Sequence, residues 1–237
     1  MSVRRLVLHA GGALLHATGA FRLAHRRLVP ENVCVLMYHG LTSGPLPVAD
    51  GCFLRAERFA AQMEYLSAHF EVVHLEEALV RRGAPGARPI ACVTFDDGFA
   101  SVHDLALPIL RRLRIPATVY LVTDLIDTDQ TLWFARLHQA ICQTAALEVR
   151  LGEQCVSLRG PAARERASAA LQLALKRLER PAFSVALEDV LARLGYAGAA
   201  TPPWGAFRIL TSAQVRVMAG DGLVRFGAHT ATHQILT

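Results

Sequence analysis

From residue 32 onward the chain carries two hydrophobic rhythms. Short unbroken apolar runs, Asn32 to Tyr38, Pro89 to Phe95, Ala117 to Val122 and Leu223 to Gly227, are rich in β-branched and aromatic residues and bounded by proline, glycine or polar residues. Runs of this length and composition predict buried strands, apolar on both faces as in a parallel sheet or barrel. Between them the apolar positions fall three or four apart. Phe59, Met63, Leu66 and Phe70 predict a helix over Arg55 to Phe70, and Val102, Leu105, Ile109, Leu110 and Leu113 predict another over Ser101 to Leu113, kinked or restarted at Pro108. A short strand at Glu71 to Val73 and a brief helix from Leu75 to Arg82, stopped by Gly83, complete the first half, and Thr211-Ser212 can cap a helix running to Ala219. Gly40 to Gly51, with Gly44-Pro45 and Pro47, reads as loop. Strand, helix, strand at these spacings means right-handed βα units and a parallel sheet.

The stretch from about 127 to 205 breaks the rhythm. Trp133 to Thr144, Arg164 to Arg180 and Val185 to Leu194 look helical, Leu147 to Leu158 fits a small hairpin, and Gly198 to Gly205 is a Pro/Gly/Ala linker. We read it as a largely helical insertion beside the site, a lid or a wall of a groove.

Composition changes this picture little. With 237 residues, 52% of them hydrophobic, the chain can bury a large core as one domain with an insertion. The net charge of +5 is concentrated in residues 1–30, which hold Arg4, Arg5, Arg22, Arg26 and Arg27 and no acid. The remainder is balanced, which argues against nucleic acid as a partner. Five cysteines, an odd number with no C-x-x-C spacing, read as reduced core residues. Residues 1–29 suit a weak signal peptide, a basic amphipathic helix making peripheral contact with an anionic membrane, or an ordinary packing helix; they are too short and polar to span a bilayer. A cell-envelope or a cytoplasmic location is compatible with this.

The candidate chemistry sits at strand ends. Thr94-Phe95-Asp96-Asp97-Gly98 places two adjacent carboxylates where a buried strand runs out into a loop, an arrangement whose mutual repulsion a cation relieves. His229-Thr230-Ala231-Thr232-His233 supplies two imidazoles four positions apart, which share a face if they lie on one helical turn. The plain alternative is that the aspartates only shape a turn and cap the next helix while the histidines lie on a loop. His39 stands at the end of the first strand. His9, His16, His25, His69, His74, His103 and His138 lack such surroundings and are read as surface or helix residues.

The T-F-D-D-G run and the H-T-x-x-H run together resemble the two leading motifs of the polysaccharide deacetylase family, the nodulation-type domain of carbohydrate esterase family four. Leu36-Met37-Tyr38-His39-Gly40, Pro108-Ile109-Leu110, Pro116 to Val122, Leu210-Thr211 and Gly227-Ala228-His229 extend the likeness over roughly residues 33 to 237, around the divergent insertion. The resemblance implies a distorted (β/α) barrel over 30–237, and a metal-dependent hydrolase that removes N-acetyl groups from an amino-sugar oligo- or polysaccharide. It implies a divalent metal, zinc by its histidine ligands, held by Asp97, His229 and His233, with Asp96 as general base. Tyr38-His39 looks like the Tyr-His of the biofilm poly-N-acetylglucosamine deacetylases, which makes His39 the candidate acid. Thr230 is left without a role. The family pattern continues past the second motif with further strands, so the barrel is expected to be incomplete at the C-terminus. A partner chain supplying the missing strands, or a non-catalytic remnant that keeps metal or carbohydrate binding, is the rival expectation.

Overall fold

The structure, a computed structural model, describes residues 33–81, 88–197 and 204–234. Residues 1–29, with their predicted leader or membrane helix, and Gly83, the predicted helix stop, lie outside the described residues. The fold is mixed α/β around a parallel sheet. Its strands are β1 (Cys34–Tyr38), β4 (Glu71–Val72), β5 (Ile90–Phe95), β6 (Ala117–Leu121) and β9 (Val224–Ala228), ordered β1-β5-β6-β9. Strand β5 is the hub. It pairs along one edge with β1, from Cys34 opposite Ala91 to Tyr38 opposite Phe95, and its other edge is shared by β4 at its start and β6 at its end. All six β5 residues are buried, as an unbroken apolar run requires. The described strands form an open sheet with β1 and β9 at its edges.

Strand β1 departs from expectation. Its residues alternate instead of being covered on both faces, and Val35 and Met37 are 49% and 61% exposed. Helix α1 (Ala56–His69) buries Phe59, Met63 and Leu66 beneath the sheet, and Tyr38, Phe59 and Phe95 meet ring to ring. A second short helix, α2 (Leu75–Val80), follows β4. Pro108 acts as predicted. The segment after β5 starts as one π-helical stretch, Val102–Ala106, and resets as α3 (Leu107–Leu113), with the proline in the first turn where its missing N–H costs nothing. Gly40 to Gly51 is not all loop: β2 (Gly40–Thr42) pairs in parallel with β3 (Phe53–Arg55), a three-residue match too short to show as a period.

The insertion comprises α4 (Trp133–Gln143), the antiparallel hairpin β7 (Glu148–Leu151) and β8 (Gln154–Ser157), α5 (Pro161–Leu175) and α6 (Arg180–Arg193). It has its own apolar cluster, with Leu137, Ile141, Leu171 and Val190 fully buried. Arg164 ties the start of α5 to the end of α4, donating to the carbonyls of Ile141, Cys142 and Thr144 at 2.6–2.8 Å. That satisfies C-terminal helix acceptors with a cation of the favourable sign. Helix α7 (Ser212–Ala219) opens with a full capping box between Thr211 and Gln214.

The five cysteines are free, as expected, but only Cys92 is buried; Cys155 is exposed on the hairpin. His138, read as a surface or helix residue, is on helix α4 yet fully buried, and His74 is buried too. Among the described residues no helix is long and apolar enough to cross a membrane.

Candidate active site

Strand β5 ends at Phe95, and the chain turns at once. Asp97 and Gly98 both take left-handed backbone angles, with φ of 74° and 73°. An aspartate tolerates this conformation better than most side chains, and at the second position the left-handed backbone favours glycine, where a Cβ would also press on Leu121 Cδ2 at 2.9 Å. The turn is pinned from across by an antiparallel bridge: Leu210 N–H donates to the Gly98 carbonyl and Ala100 N–H to that of Arg208. The effect is to swing the Asp97 side chain inward, where its residue is fully buried.

The second motif reaches the same place by a different route from the one predicted. His229 to His233 is not a helical turn. After β9 the chain crosses the end of β6, where His229 N–H donates to Leu121 at 2.7 Å, Thr123 N–H donates to Thr230 and Asp124 N–H to Ala231. Thr230 and His233 take left-handed angles of 65° and 53°, and the Thr230 hydroxyl accepts from His233 N–H at 2.9 Å. This folded-back loop brings the two rings to 5.2 Å between centroids. Thr230, without an assigned role in the sequence, thus shapes the turn.

The result is a convergent donor set. His233 Nε2 lies 3.2 Å and His229 Nε2 3.6 Å from Asp97 Oδ1, and the three ligating atoms fall within 4.8 Å of one another. Neither Asp97 oxygen accepts a hydrogen bond within the described residues. A buried carboxylate without donors costs several kcal/mol, so this geometry suits a cation placed among the three side chains. Two imidazoles and one carboxylate are a donor set that zinc accepts while leaving open positions. The residues therefore fit a divalent metal.

Asp96, one residue earlier, is half-buried and stands outside the triad. Its amide donates to the Tyr38 carbonyl at 2.9 Å, which anchors it beside the end of β1, where His39 follows. Burial raises the Asp96 carboxyl above the usual carboxylate range, with His229 and His39 pulling the other way. The Tyr38 phenol, which donates to Gln62 at 2.8 Å, is pushed up to about 12 by burial and stays neutral. The structure thus brings Asp97, His229 and His233 together, and puts Asp96 and His39 at the rim.

The insertion, expected as a lid or wall beside the site, packs against His233. Phe134 of α4 packs edge-on against His233, 5.6 Å between ring centroids, and Trp133 lines a cavity that starts at His233. The Trp133-Phe134 pair opening a helix was the available signal.

The family model for polysaccharide deacetylase matches residues 83–237. Among curated proteins none matches the chain in sequence. Solved structures that resemble it include IcaB from Ammonifex degensii, at 18% identity and TM-score 0.46 over 85% of this chain and 54% of that one. A de-N-acetylase from Aggregatibacter actinomycetemcomitans follows at 16% and 0.42, over 84% and 55% of the two chains. A polysaccharide deacetylase from Bacillus cereus gives 17% and 0.46, over 86% and 41%. The chain spans about half the length of the solved structures it resembles.

Proposed function

The chain belongs to the polysaccharide deacetylase family, and from that premise we propose that it is a metal-dependent hydrolase removing N-acetyl groups from an amino-sugar oligo- or polysaccharide. The observation that carries the reading is the buried, donor-free Asp97 carboxylate faced by the Nε2 atoms of His229 and His233. These three would hold the ion, zinc by its donors. When bound, a divalent ion there supplies Lewis acidity toward the amide carbonyl and makes water more acidic.

The chain's own groups do the rest. Asp96, beside the ligands but not among them, takes the proton of the water attacking the acetamide carbon; burial keeps its basicity above that of an ordinary carboxylate. His39, at the end of β1, gives a proton to the departing nitrogen as the C–N bond breaks, so the products are acetate and a free amine. The backbone bond from Asp96 to Tyr38 keeps base and acid on adjoining strand ends. Residues 30–237 form the working domain, with 127–205 as an insertion walling the site.

A second reading is favoured by the exposure of Val35 and Met37 on β1. An uncovered apolar strand face fits a chain completed by a partner's strands, or one that kept binding without turnover. The test is acetate release from N-acetylglucosamine oligomers by the full chain, stripped of metal and then reloaded with zinc or cobalt. The hydrolase reading predicts release only after reloading, and strongly reduced release from Asp96→Asn. Stoichiometric metal binding with no acetate transfers the case to the second reading.

A further inference from the structure

The two motifs that converge on the site are bridged by one ring from the insertion. Phe134, in the first turn of α4 and 7% exposed, makes a T-shaped contact with the His233 ring, 5.6 Å between centroids at 62°, and another with the Phe99 ring, 6.4 Å at 72°. Phe99 ends the T-F-D-D-G-F run that carries Asp97, and His233 ends the second motif. Ring pairs of this geometry attract beyond the area they bury. Phe134 thus touches both arms of the ligand set while offering no ligand atom of its own.

What such a contact does follows from what His233 lacks. Its Nε2 faces Asp97 Oδ1 at 3.2 Å, which leaves Nδ1 as the second nitrogen of the ring. A ligating histidine ordinarily gives that nitrogen to a carboxylate or a carbonyl, and the bond fixes the plane of the ring. His233 Nδ1 is buried and finds no hydrogen-bond partner among the described residues. The backbone of His233 is secured, since its N–H donates to Thr230 Oγ1 at 2.9 Å. The torsions between that backbone and the ring are left to packing. Of the two rings that meet it, His229 is itself a ligand and its side chain is 36% exposed, whereas Phe134 is anchored in the apolar cluster of the insertion with Leu137 and Ile141.

Resting on the metal site proposed above, we infer that Phe134 is a positioning residue for that site. Its ring takes the place of the hydrogen bond that His233 Nδ1 lacks, and aims Nε2 at the point where Asp97 and His229 converge. The insertion then sets metal affinity through packing, without supplying a ligand.

Zinc affinity is measured by calorimetry on the metal-stripped full chain, with the thermal midpoint of each metal-free variant recorded beside it. Phe134→Met and Phe134→Leu keep an apolar side chain and remove the ring, and each is expected to weaken zinc binding about tenfold, the low end of what loss of an outer-shell partner costs. Phe134→Tyr keeps the ring and is expected to retain wild-type affinity. Ile141→Val, in the same cluster about two turns further along α4, is expected to lower the midpoint and leave zinc affinity unchanged. Cobalt(II) loaded in place of zinc reports ligand geometry through its visible absorption, which is expected to shift in Phe134→Met and to match wild type in Phe134→Tyr and Ile141→Val. Wild-type affinity and an unshifted cobalt spectrum in both ring-less variants overturn the inference and leave the metal site standing. So does an affinity that falls in step with the midpoint in Ile141→Val as well, since Phe134 would then act through stability alone. A wild-type chain that binds no zinc sinks the metal site and the inference together, whereas one that binds zinc in this pattern but releases no acetate upholds the inference and sinks the hydrolase.

Discussion

The sheet and the insertion bury apolar residues in two separate clusters, and they contribute to the site in different ways. Around β5 the cluster of Phe59, Phe95, Leu110 and Val119 packs helices against one parallel sheet, and the site residues leave it at strand ends, aimed by tight local turns. The insertion cluster of Leu137, Ile141, Leu171 and Val190 holds helices to helices, and contributes through packing: Phe134 on His233, Trp133 on the cavity. The chain crosses from one to the other within four residues, since Phe95 ends β5 in the sheet cluster and Phe99 already belongs to the insertion cluster. Reactive groups sit at the seam, where rigid strand ends face a wall free to vary.

If the division holds, removing the base should hurt most. Asp96→Asn is expected to lower acetate release about 10² to 10⁴-fold while metal binding is retained, measured as kcat on an oligomer. Loss of metal along with activity would mean that Asp96 is a ligand. Next in size are the cores. Leu110→Ala in the sheet and Leu171→Ala in the insertion should each cost about 2–5 kcal/mol in denaturant unfolding, since both side chains are fully buried. Because Ile126 packs against both clusters, we expect one transition in both variants; two resolved transitions would make the insertion an independent domain. Smaller again is Thr211→Ala, which removes a capping box from α7 and should cost about 0.5–2 kcal/mol without altering metal binding.

The smallest effect is a pH dependence of stability. His138 of α4 lies 3.4 Å from Asp50, which steadies the turn before β3 by accepting from Cys52 N–H. Burial holds the His138 imidazole below its ordinary value of 6.5, despite Asp50. Below pH 6.5 the unfolded chain takes up a proton that the folded chain resists, so this contribution to stability is present above that pH and lost as pH falls beneath it. The melting midpoint should therefore drop on acidification from pH 7, and drop less in His138→Gln. An equal slope in both would remove His138 from the account.

The sheet was legible because its signals are local. The unbroken run Ile90 to Phe95, the helical spacing of Phe59, Met63 and Leu66, the reset at Pro108 and the Thr211 cap each act within one element. The three residues that could hold a metal ion, Asp97, His229 and His233, were legible as candidates for the same reason, belonging to two short motifs at strand ends. Their conformations were not. Histidines four positions apart fit a helical turn equally well, and it is bonds such as those from Thr123 and Asp124 to the Thr230–Ala231 backbone that fold that segment into a loop. The exposure of Val35 and Met37 was hidden because an apolar run does not say which of its faces is covered. The burial of His138 was not legible because burial of a lone helical histidine depends on what a distant loop, here Asp50, brings to it. The placement of Trp133 on a cavity wall depends on α6 closing that cavity from some fifty residues away, which no local pattern encodes.

Asp97, His229 and His233 are expected to act as one cation site. Zinc titrated into the metal-stripped full chain, followed by calorimetry for wild type, Asp97→Asn and His233→Ala, should show one equivalent bound by wild type and at least about a tenfold loss of affinity in each variant. Unchanged binding in Asp97→Asn would contradict it, placing the ion elsewhere and leaving the buried carboxylate without an explanation.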